Sequence, residues 1–257
     1  MYSSTHGEIL EFFYDKTGIH FDEKKDVVAH KINTFYKNHG FADINSFFTE
    51  IKRYGPLWQE LVNLLTVNET YFFRETRQID IMIEMAKQKR SFNILCAPSS
   101  SGEEPYTILI KLAENGLLGG LCKFVGIDIN SSVIESAKQG TYSKRSLHRT
   151  PAEVISKYFT ENERHYYDIS SEIKRIVDFR IANIFDSNIK SLGDFDFVFS
   201  RNMIIYFDKE SRGEAEKALC SLLKQDGVLF MGHADLIPNN VGFKKTVENG
   251  TVYYKKP

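Results

Sequence analysis

Two adjacent carboxylates, Glu103 and Glu104, follow a loop of small residues in the segment FNILCAPSSSGEEPYTI, residues 92–108. The apolar start of this segment predicts a strand, and the residues after the loop predict the first turn of a helix. In nucleotide-binding α/β folds such a turn usually binds phosphate, because helix N-termini attract anions. Two carboxylates would repel a pyrophosphate, so this turn favours a neutral or cationic ligand.

S-adenosylmethionine has the charge that this turn requires, because it carries a sulfonium and an ammonium group. Gly102 and Glu104 are therefore candidate cofactor-binding residues. An alternative needs no ligand: Ser101-x-x-Glu104 fits a capping box, and acidic residues in a first helical turn favour the helix dipole. The two interpretations need not exclude each other.

A further candidate, Asp128, ends the next predicted strand in the segment GIDIN. An acid at this position of a nucleotide-binding fold can accept hydrogen bonds from the two ribose hydroxyls. The preceding loop is poor in glycine and departs from G-x-G-x-x-G, which disfavours NAD. The two segments together predict an adenosine site without a phosphate.

The segment FDFVFSRNMIIYFD places Asn202 just past a predicted strand and Tyr206 four residues later. Asn202 would contact the adenine or the methionine portion of the cofactor, and Tyr206 would project into the same cleft. The alternative is a structural loop in which Asn202 caps and Tyr206 packs. SRNM differs from the Asn/Asp-Pro-Pro-aromatic tetrad of amine-directed methyltransferases, so it does not support attack by a nitrogen.

Arg74 stands in NETYFFRE, residues 68–75, a polar and aromatic segment that would suit a lid over the cofactor. Its planar guanidinium matches a carboxylate bidentately, which makes it a candidate for binding an acidic group. A surface ion pair with Glu75 or Asp80 is an equal alternative from this segment alone.

Helical periodicity dominates residues 1 to about 90, where apolar spacing and glycine or proline stop signals predict a bundle of four short helices. The predicted helices are Glu8–Lys16, Asp22–Asn38, a helix capped by Asp43 that runs through Tyr54, and Leu57–Leu65.

From Ser91 onward predicted strands alternate with helices, which indicates an α/β fold with a mostly parallel sheet and ligands bound beyond the carboxyl ends of the strands. The predicted strands are Phe92–Ala97, Lys123–Ile129, Val177–Ile184, Asp196–Ser200 and Val228–Gly232, and the helices are Glu104–Asn115, Ser132–Gln139 and Lys209–Lys224. Asn249-Gly250 predicts a final hairpin that adds an antiparallel edge. Residues 141–176 interrupt the alternation and predict a small surface subdomain or a substrate-facing loop.

Composition limits the remaining function classes. The 257 residues suit one large or two small domains, and their hydrophobic content of 42% can fill a substantial core. A net charge of −1 gives no global field to recruit nucleic acid or anionic membrane. Three widely spaced cysteines without C-x-x-C predict neither a disulfide framework nor a metal site. With no signal peptide and no run of 18 apolar residues, we expect a cytoplasmic protein without membrane insertion.

SSSGEEPY, NETYFFRE and SRNMIIYFD closely resemble segments of the chemotaxis receptor methyltransferases, the CheR family. GVLFMGHADL is similar to a further family segment with a GHSE-like run, although Ala234-Asp235 replaces Ser-Glu here. The resemblance covers nearly the whole chain. It implies a class I methyltransferase-like (Rossmann-like) domain over 76–257 with a small β-subdomain inserted at 141–176. It also implies an N-terminal all-α helical domain over 1–75.

The resemblance implies an activity as well: S-adenosylmethionine-dependent O-methylation of chemoreceptor glutamates, with S-adenosylhomocysteine as product. Arg74 and Tyr206 match positions that have catalytic roles in the family. The residues that match its cofactor site are Asn68, Thr70, Arg74, Glu104, Asp128, Asn183, Ile184, Asn202 and Met203. The alternatives are methylation of another carboxylate or protein acceptor, and a catalytically silent signalling module that binds the cofactor or its product.

The implied partner is the cytoplasmic helical region of chemoreceptors, which family members engage through a basic helix. Here the second predicted helix is net positive, although an ordinary solvated helix face is an equal alternative. Its basic residues are Lys24, Lys25, His30, Lys31 and Lys37. Some family members also bind a receptor tail peptide through a Gly-containing loop. The comparable stretch, Thr160–Glu172, has no glycine, so we expect no dependence on such a tether.

Overall fold

Helices α1 to α4 form the N-terminal part of the computed structural model, which describes residues 3–21, 24–235 and 242–257. The helices of the described residues are α1 (Ser4–Thr17), α2 (Lys25–Asn38), α3 (Ile44–Ile51), α4 (Pro56–Leu65), α5 (Arg77–Ala86), α6 (Glu103–Glu114), α7 (Ser131–Gln139), α8 (Ala152–Tyr158), α9 (Ser171–Lys174) and α10 (Lys209–Leu222). The inward faces of the first four share one apolar core around Phe13, Ile32, Phe47 and Leu61, which are all fully buried. The predicted helical bundle is confirmed.

Some predicted helix boundaries were wrong for local reasons. Helix α3 begins as expected at Asp43, whose carboxylate accepts hydrogen bonds from the backbone N–H groups of Asn45 and Ser46. It ends at Ile51 rather than Tyr54, because Tyr54 adopts a left-handed conformation with φ of 54° before Gly55-Pro56. Asp22 and Glu23, the predicted start of α2, lie outside the described residues.

A central sheet follows the helical part. The strands of the described residues are β1 (Phe92–Cys96), β2 (Leu121–Asp128), β3 (Thr141–Tyr142), β4 (Phe159–Glu161), β5 (Tyr167–Ile169), β6 (Val177–Ile181), β7 (Phe195–Ser200), β8 (Leu223–Met231), β9 (Lys244–Glu248) and β10 (Thr251–Lys255). Seven of them form the order β6-β2-β1-β7-β8-β10-β9. The first five of this order pair in parallel, and β10 pairs antiparallel with both β8 and β9.

This order confirms the mostly parallel sheet and its antiparallel hairpin. The chain runs outward from β1 through β2 to β6 and then returns to the other side of β1 with β7. Ligands of open α/β sheets bind at such a reversal, beyond the carboxyl ends of the strands. Asn249 and Gly250 join β9 to β10 with positive φ at both residues, as a tight hairpin turn requires.

The inserted segment builds a separate antiparallel sheet of β3, β5 and β4 in that order. Helix α8 lies between β3 and β4, and its Tyr158 donates a hydrogen bond of 2.5 Å to Glu114 of α6. The small β-subdomain within residues 141–176 is confirmed.

Helix α4 also contacts the sheet domain through polar side chains. Asn63 accepts a hydrogen bond from the N–H of Ser131 and donates to the hydroxyls of Ser131 and Ser132, at the start of α7. Gln59 donates to the carbonyl of Ile129. These contacts fix the helical bundle against the loop that follows β2. No helix within the described ranges has the length and apolar character to cross a membrane.

Candidate functional site

A cavity of about 550 Å³ opens at the carboxyl ends of β1, β2, β6 and β7. Its floor comes from residues at the ends of these strands or just after them, namely 97–100, 127–129, 182–184, 201–203 and 205–208. The opposite wall comes from the segment 65–71 with Arg74 and from the α1–α2 connection. The volume lies within the range of small-molecule sites, about 300–1,000 Å³.

The cavity brings together residues that the sequence separates by more than a hundred positions. Those predicted residues that line it are Asn68, Thr70, Arg74, Glu104, Asp128, Asn183, Ile184, Asn202, Met203 and Tyr206. Gly102 is the one candidate that the cavity wall does not include. Their individual roles in binding remain predictions.

Gly102 shapes the turn rather than lining the cavity. Its φ of 95° is left-handed, and a Cβ there would lie 3.0 Å from both the Tyr106 ring and the Tyr142 hydroxyl. The predicted capping box was wrong, because Gly102 is the N-cap of α6 and the Ser101 hydroxyl donates to Glu103 at 2.7 Å. Glu103 is buried outside the cavity wall, so only Glu104 of the two acids faces the ligand space.

Asp128 lies at the end of β2 and is 6% exposed. Its two carboxylate oxygens accept hydrogen bonds from the backbone N–H groups of Ser100 at 3.0 Å and Asn130 at 2.9 Å. Burial raises the pKa of this carboxyl to about 6, although both backbone donors lower it. The group is held in place with acceptor capacity left for hydroxyl donors.

Glu104 pairs with Arg201, a residue that the sequence interpretation missed. Arg201 is 5% exposed and donates to the Glu104 carboxylate at 2.6 Å and to Glu75 at 3.0 Å. Burial raises the pKa of Glu104, while the charge of Arg201 opposes that rise. The one signal in the sequence was a charged residue directly after the apolar strand FDFVFS.

The same guanidinium fixes the backbone of Arg74. Both terminal nitrogens of Arg201 donate to the carbonyl of Arg74, at 3.2 and 3.1 Å. Phe73 and Glu75 on either side have left-handed φ values of 59° and 49°. Such residues need support from their surroundings, and Arg201 supplies it.

The Arg74 side chain is directed by local contacts. It donates to the carbonyl of Glu69 at 3.1 Å and lies 5.6 Å from the centre of the Tyr71 ring. The alternative of an ion pair with Glu75 or Asp80 was wrong, because Glu75 pairs with Arg201 and Asp80 pairs with Lys111.

Asn202 is held in a left-handed conformation, with φ of 59°, by the carboxylate of Asp235. This carboxylate is 2% exposed and accepts from the backbone N–H groups of Asn202 and, at 3.1 Å, Ile205. A Cβ at Gly232 would lie 2.7 Å from the same carboxylate. The Asp235 of the Ala234-Asp235 departure therefore anchors the loop after β7.

Tyr206 ends a short 3-10 helix, Ile204–Tyr206, and is partly exposed at the cavity. Burial raises the pKa of its hydroxyl, Glu69 raises it further and the charge of Arg74 lowers it. Arg74 and Tyr206 both line the cavity. The Tyr206 carbonyl accepts a hydrogen bond from the N–H of His20 at 3.0 Å, and Ile19 forms a β-bridge with Phe207.

Asn183 and Ile184 follow β6, which ends at Ile181 and so is shorter than predicted. The Asn183 side chain accepts a hydrogen bond from the N–H of Phe185 and donates one to the carbonyl of Lys16. The second hydrogen bond connects α1 to the part of the cavity wall that follows β6. Ile184 and Ile129 give the wall an apolar part suited to a planar base.

Family comparison decides which kind of site this is. Residues 68–253 match the CheR methyltransferase, SAM binding domain, and residues 7–66 match the CheR methyltransferase, all-alpha domain. The chain belongs to the CheR methyltransferase family. Relatives of this family with similar sequences are named chemotaxis protein methyltransferases. One from Campylobacter jejuni is 38% identical over 97% of this chain and 95% of its own length.

Two further CheR relatives cover almost the same span. A protein from Vibrio cholerae named chemotaxis protein methyltransferase 2 is 32% identical over 95% of this chain and 90% of its own length. The Escherichia coli chemotaxis protein methyltransferase is 30% identical over 95% of this chain and 88% of its own length.

Membership of the CheR family identifies the cofactor as S-adenosylmethionine and the protein as a methyltransferase that uses it. The donor set fits this cofactor. Asp128 can accept from hydroxyl groups, the carboxylate of Glu104 suits a cation, and the apolar side chains of Ile129 and Ile184 suit a base.

Proposed function

We propose that this CheR family member transfers the methyl group of S-adenosylmethionine to glutamate side chains of chemoreceptors. The observation that carries the proposal is the presence of both Arg74 and Tyr206 in the wall of one cavity that also presents Glu104 and Asp128. Arg74 and Tyr206 can bind a carboxylate, and the two acids suit the cofactor.

The cofactor would be held along the ends of the parallel strands. Asp128 would accept hydrogen bonds from the ribose hydroxyls, and Glu104 would accept from the ammonium group. Asn183, Ile184, Asn202 and Met203 would enclose the remaining parts of the nucleoside and the methionine chain. Asn68 and Thr70 would close the opposite wall.

The reaction needs orientation more than proton transfer. When bound, the cofactor would supply an electrophilic methyl group on positive sulfur. A glutamate carboxylate oxygen would form its bond to that carbon as the carbon–sulfur bond breaks, which leaves neutral S-adenosylhomocysteine and requires no proton transfer. A glutamate is already ionised at pH 7, so no strong base is required. Arg74 and the Tyr206 hydroxyl would orient the carboxylate and leave the attacking oxygen free. A tyrosine hydroxyl is protonated at pH 7, and burial raises the pKa of Tyr206 further, so this hydroxyl can donate a hydrogen bond to the carboxylate.

The proposed partner is the cytoplasmic helical region of the receptor. Helix α2 presents exposed Lys25, His30, Lys31 and Lys37, and it remains a candidate for contacting an acidic receptor helix. The turn between β4 and β5, within Thr160–Glu172, has no glycine, and we propose that no receptor tail peptide is required.

Methyl transfer from labelled cofactor to membranes that contain chemoreceptors tests the proposal. We expect label in the receptor band and release of volatile methanol after mild base, because only a carboxyl ester is base-labile. Base-stable label would indicate methylation of nitrogen, label on a different protein would indicate another acceptor, and cofactor binding without transfer would indicate a silent module.

A further inference from the structure

A short basic turn lies between β3 and α8 at residues 143–150, with the sequence SKRSLHRT. The turn carries Lys144, Arg145, His148 and Arg149, all of which are exposed, and it contains no acidic residue. The chain as a whole has a net charge of −1, so this turn concentrates positive charge that the composition does not reveal.

The basic turn is fixed against the segment that lines the cavity. Leu147 at its centre is 3% exposed and belongs to the main apolar core. The carbonyl of Ser146 accepts a hydrogen bond from the N–H of Phe72 at 3.0 Å. The turn therefore has a defined position relative to residues 71–74.

A row of side chains connects the basic turn to the cavity. The His148 ring lies 4.7 Å from the Tyr71 ring, and the Arg74 guanidinium lies 5.6 Å from the centre of that same ring. Tyr71 and Arg74 both line the cavity. The basic turn thus borders the rim beside the residue proposed to bind the substrate carboxylate.

The positive charges of this turn are available to a partner. Neither Arg145 nor Arg149 takes part in an ion pair or hydrogen bond through its side chain among the described residues. Lys144 is different, because its charge acts on Glu161 of β4. The pKa of that carboxyl is lowered mainly by the hydrogen bond from His165 and, to a smaller extent, by Lys144. The two arginines are the groups left to bind carboxylates outside the chain.

We propose that the basic turn docks the receptor helix, with Arg145 and Arg149 contacting carboxylates that flank the glutamate to be methylated. This inference rests on the proposed function, which makes an acidic helix the substrate. Carboxylates three or four residues apart lie on one face of a helix, so neighbours of the target glutamate reach the rim together. Arginine pairs with carboxylates through two parallel hydrogen bonds, which suits such recognition.

The test compares the steady-state kinetics of the full-length protein with those of Arg145→Glu/Arg149→Glu. Receptor-containing membranes and labelled S-adenosylmethionine are the substrates. We expect the KM for receptor to rise about tenfold at low salt, because repulsion replaces steering of an acidic partner. The KM for cofactor and the kcat should stay unchanged. At 0.5 M salt the difference should shrink, because the Debye length falls.

The matched control is Arg90→Glu/Arg175→Glu, which changes the net charge by the same amount. Both arginines are exposed, and both lie just before parallel strands, at the end of the sheet away from the cavity. The control should keep the wild-type KM for receptor. Calorimetric binding of S-adenosylhomocysteine to both variants checks that the site is intact.

An unchanged receptor KM in Arg145→Glu/Arg149→Glu, or an equal rise in the control, would overturn the docking proposal alone. A wild-type protein that forms no base-labile esters on receptors would overturn the proposed function, and the docking proposal would fail with it.

Discussion

Arg201 joins the two halves of the site through one side chain. It binds the carboxylates of Glu75, just before α5, and of Glu104 on α6, and it donates hydrogen bonds to the carbonyl of Arg74. Removing one partner of a buried ionic group leaves the others uncompensated, which typically costs several kcal/mol. Arg201 therefore positions both Arg74 and Glu104 without needing to contact the substrate.

The variant Arg201→Lys is expected to weaken cofactor binding and Arg201→Ala to weaken it further, with stability falling by about 3 kcal/mol in the alanine variant. A lysine keeps the charge but cannot form the forked contacts. Arg201, Arg74, Glu75 and Cys96 are the titratable or charged groups that act on Glu104. Without Arg201 the pKa of Glu104 rises, so affinity for S-adenosylhomocysteine in the alanine variant should recover partly as pH increases.

Calorimetric titration from pH 6 to 9 and thermal unfolding measure these effects. Arg180→Ala serves as the control, because it removes an exposed ion pair with Asp178 and should leave binding unchanged. Wild-type affinity in Arg201→Ala at every pH would refute the positioning role.

Asp128 gives a separate pH dependence at the residue scale. Its pKa of about 6 is raised above the usual value, so its ionised form is lost as pH falls through 6. Cofactor affinity should then decrease toward acid, approaching about tenfold per pH unit below 6. Titrations of S-adenosylhomocysteine between pH 5 and 8 measure this. The Asp128→Asn variant should bind S-adenosylhomocysteine weakly, and its affinity should no longer change with pH through the titration of residue 128. Any pH dependence of affinity that persists in this variant belongs to other groups.

At the scale of elements, the loop after β7 is held in place by hydrogen bonds to the segment that follows β8. The Asp235 carboxylate satisfies two backbone N–H groups of that loop, and Gly232 leaves room for it. An unsatisfied buried N–H costs about 1–3 kcal/mol. The loop that presents Asn202 and Tyr206 is thus held by a residue from the segment that follows the neighbouring strand β8.

Asp235→Ala is expected to lower kcat strongly, because Asn202 and Tyr206 lose their fixed positions. Gly232→Ala should give a similar loss, since its Cβ would meet the same carboxylate. Asp235→Glu restores a carboxylate and should recover part of the activity. Methyl transfer rates together with melting temperatures test this, and normal turnover in Asp235→Ala would contradict it.

Sequence periodicity located most elements but not all of their ends. Helix α5 was not predicted as a separate helix, although it lies within residues 1 to about 90, where helical periodicity dominates. Gln78 donates to the carbonyls of Met231 and Val252, on β8 and β10. Strand β8 starts at Leu223, directly after α10 and earlier than the predicted Val228. Its pairing with β7 moves from Leu223 directly to Val228, so residues 224–227 form a bulge in which Asp226 has a left-handed φ of 60°.

At the scale of the whole molecule, the N-terminal helical part contributes residues of the α1–α2 connection to the cavity wall. The turn after α1 forms the β-bridge to Phe207, and Tyr14 donates to Asp208 at 2.8 Å. Gly18 in this turn has φ of 68°, and a Cβ there would lie 2.6 Å from the Phe185 ring. The contact between the two domains is therefore tight at the point where Tyr206 is held.

Gly18→Ala is expected to reduce both melting temperature and methyl transfer, because the turn must move away from Phe185. Gly116→Ala is a matched control, since Gly116 has the same φ of 68° but nothing within 4 Å of its Cβ position. The control should cost only about 1 kcal/mol of left-handed strain and leave activity normal. Equal effects of the two substitutions on activity would contradict the role of this turn.

The candidate residues of the site were predictable because they stand in short segments with distinctive chemistry, and the cavity collects them. The role of Arg201 was not predictable from the sequence, because its partners Glu104 and Glu75 lie 97 and 126 positions away in the chain. The position of Gly102 outside the wall depends on the direction of the turn, which residue types alone do not give. The sequence motifs thus predicted the residues that line the cavity. The contacts that hold these residues in place, such as those of Arg201, became visible only in the folded structure.

The strand order near the end of the sheet has a consequence for biosynthesis. Strand β9 leaves the ribosome before β10, but β10 lies between β9 and β8. The nascent β9 has no place to pair until its hairpin partner is made, so the two strands must join the sheet together. Gln78 of α5 donates to the carbonyls of Met231 on β8 and Val252 on β10, and the second of these hydrogen bonds forms only at this last step. The antiparallel edge of the sheet is therefore the last part of the described chain to reach its final arrangement during synthesis.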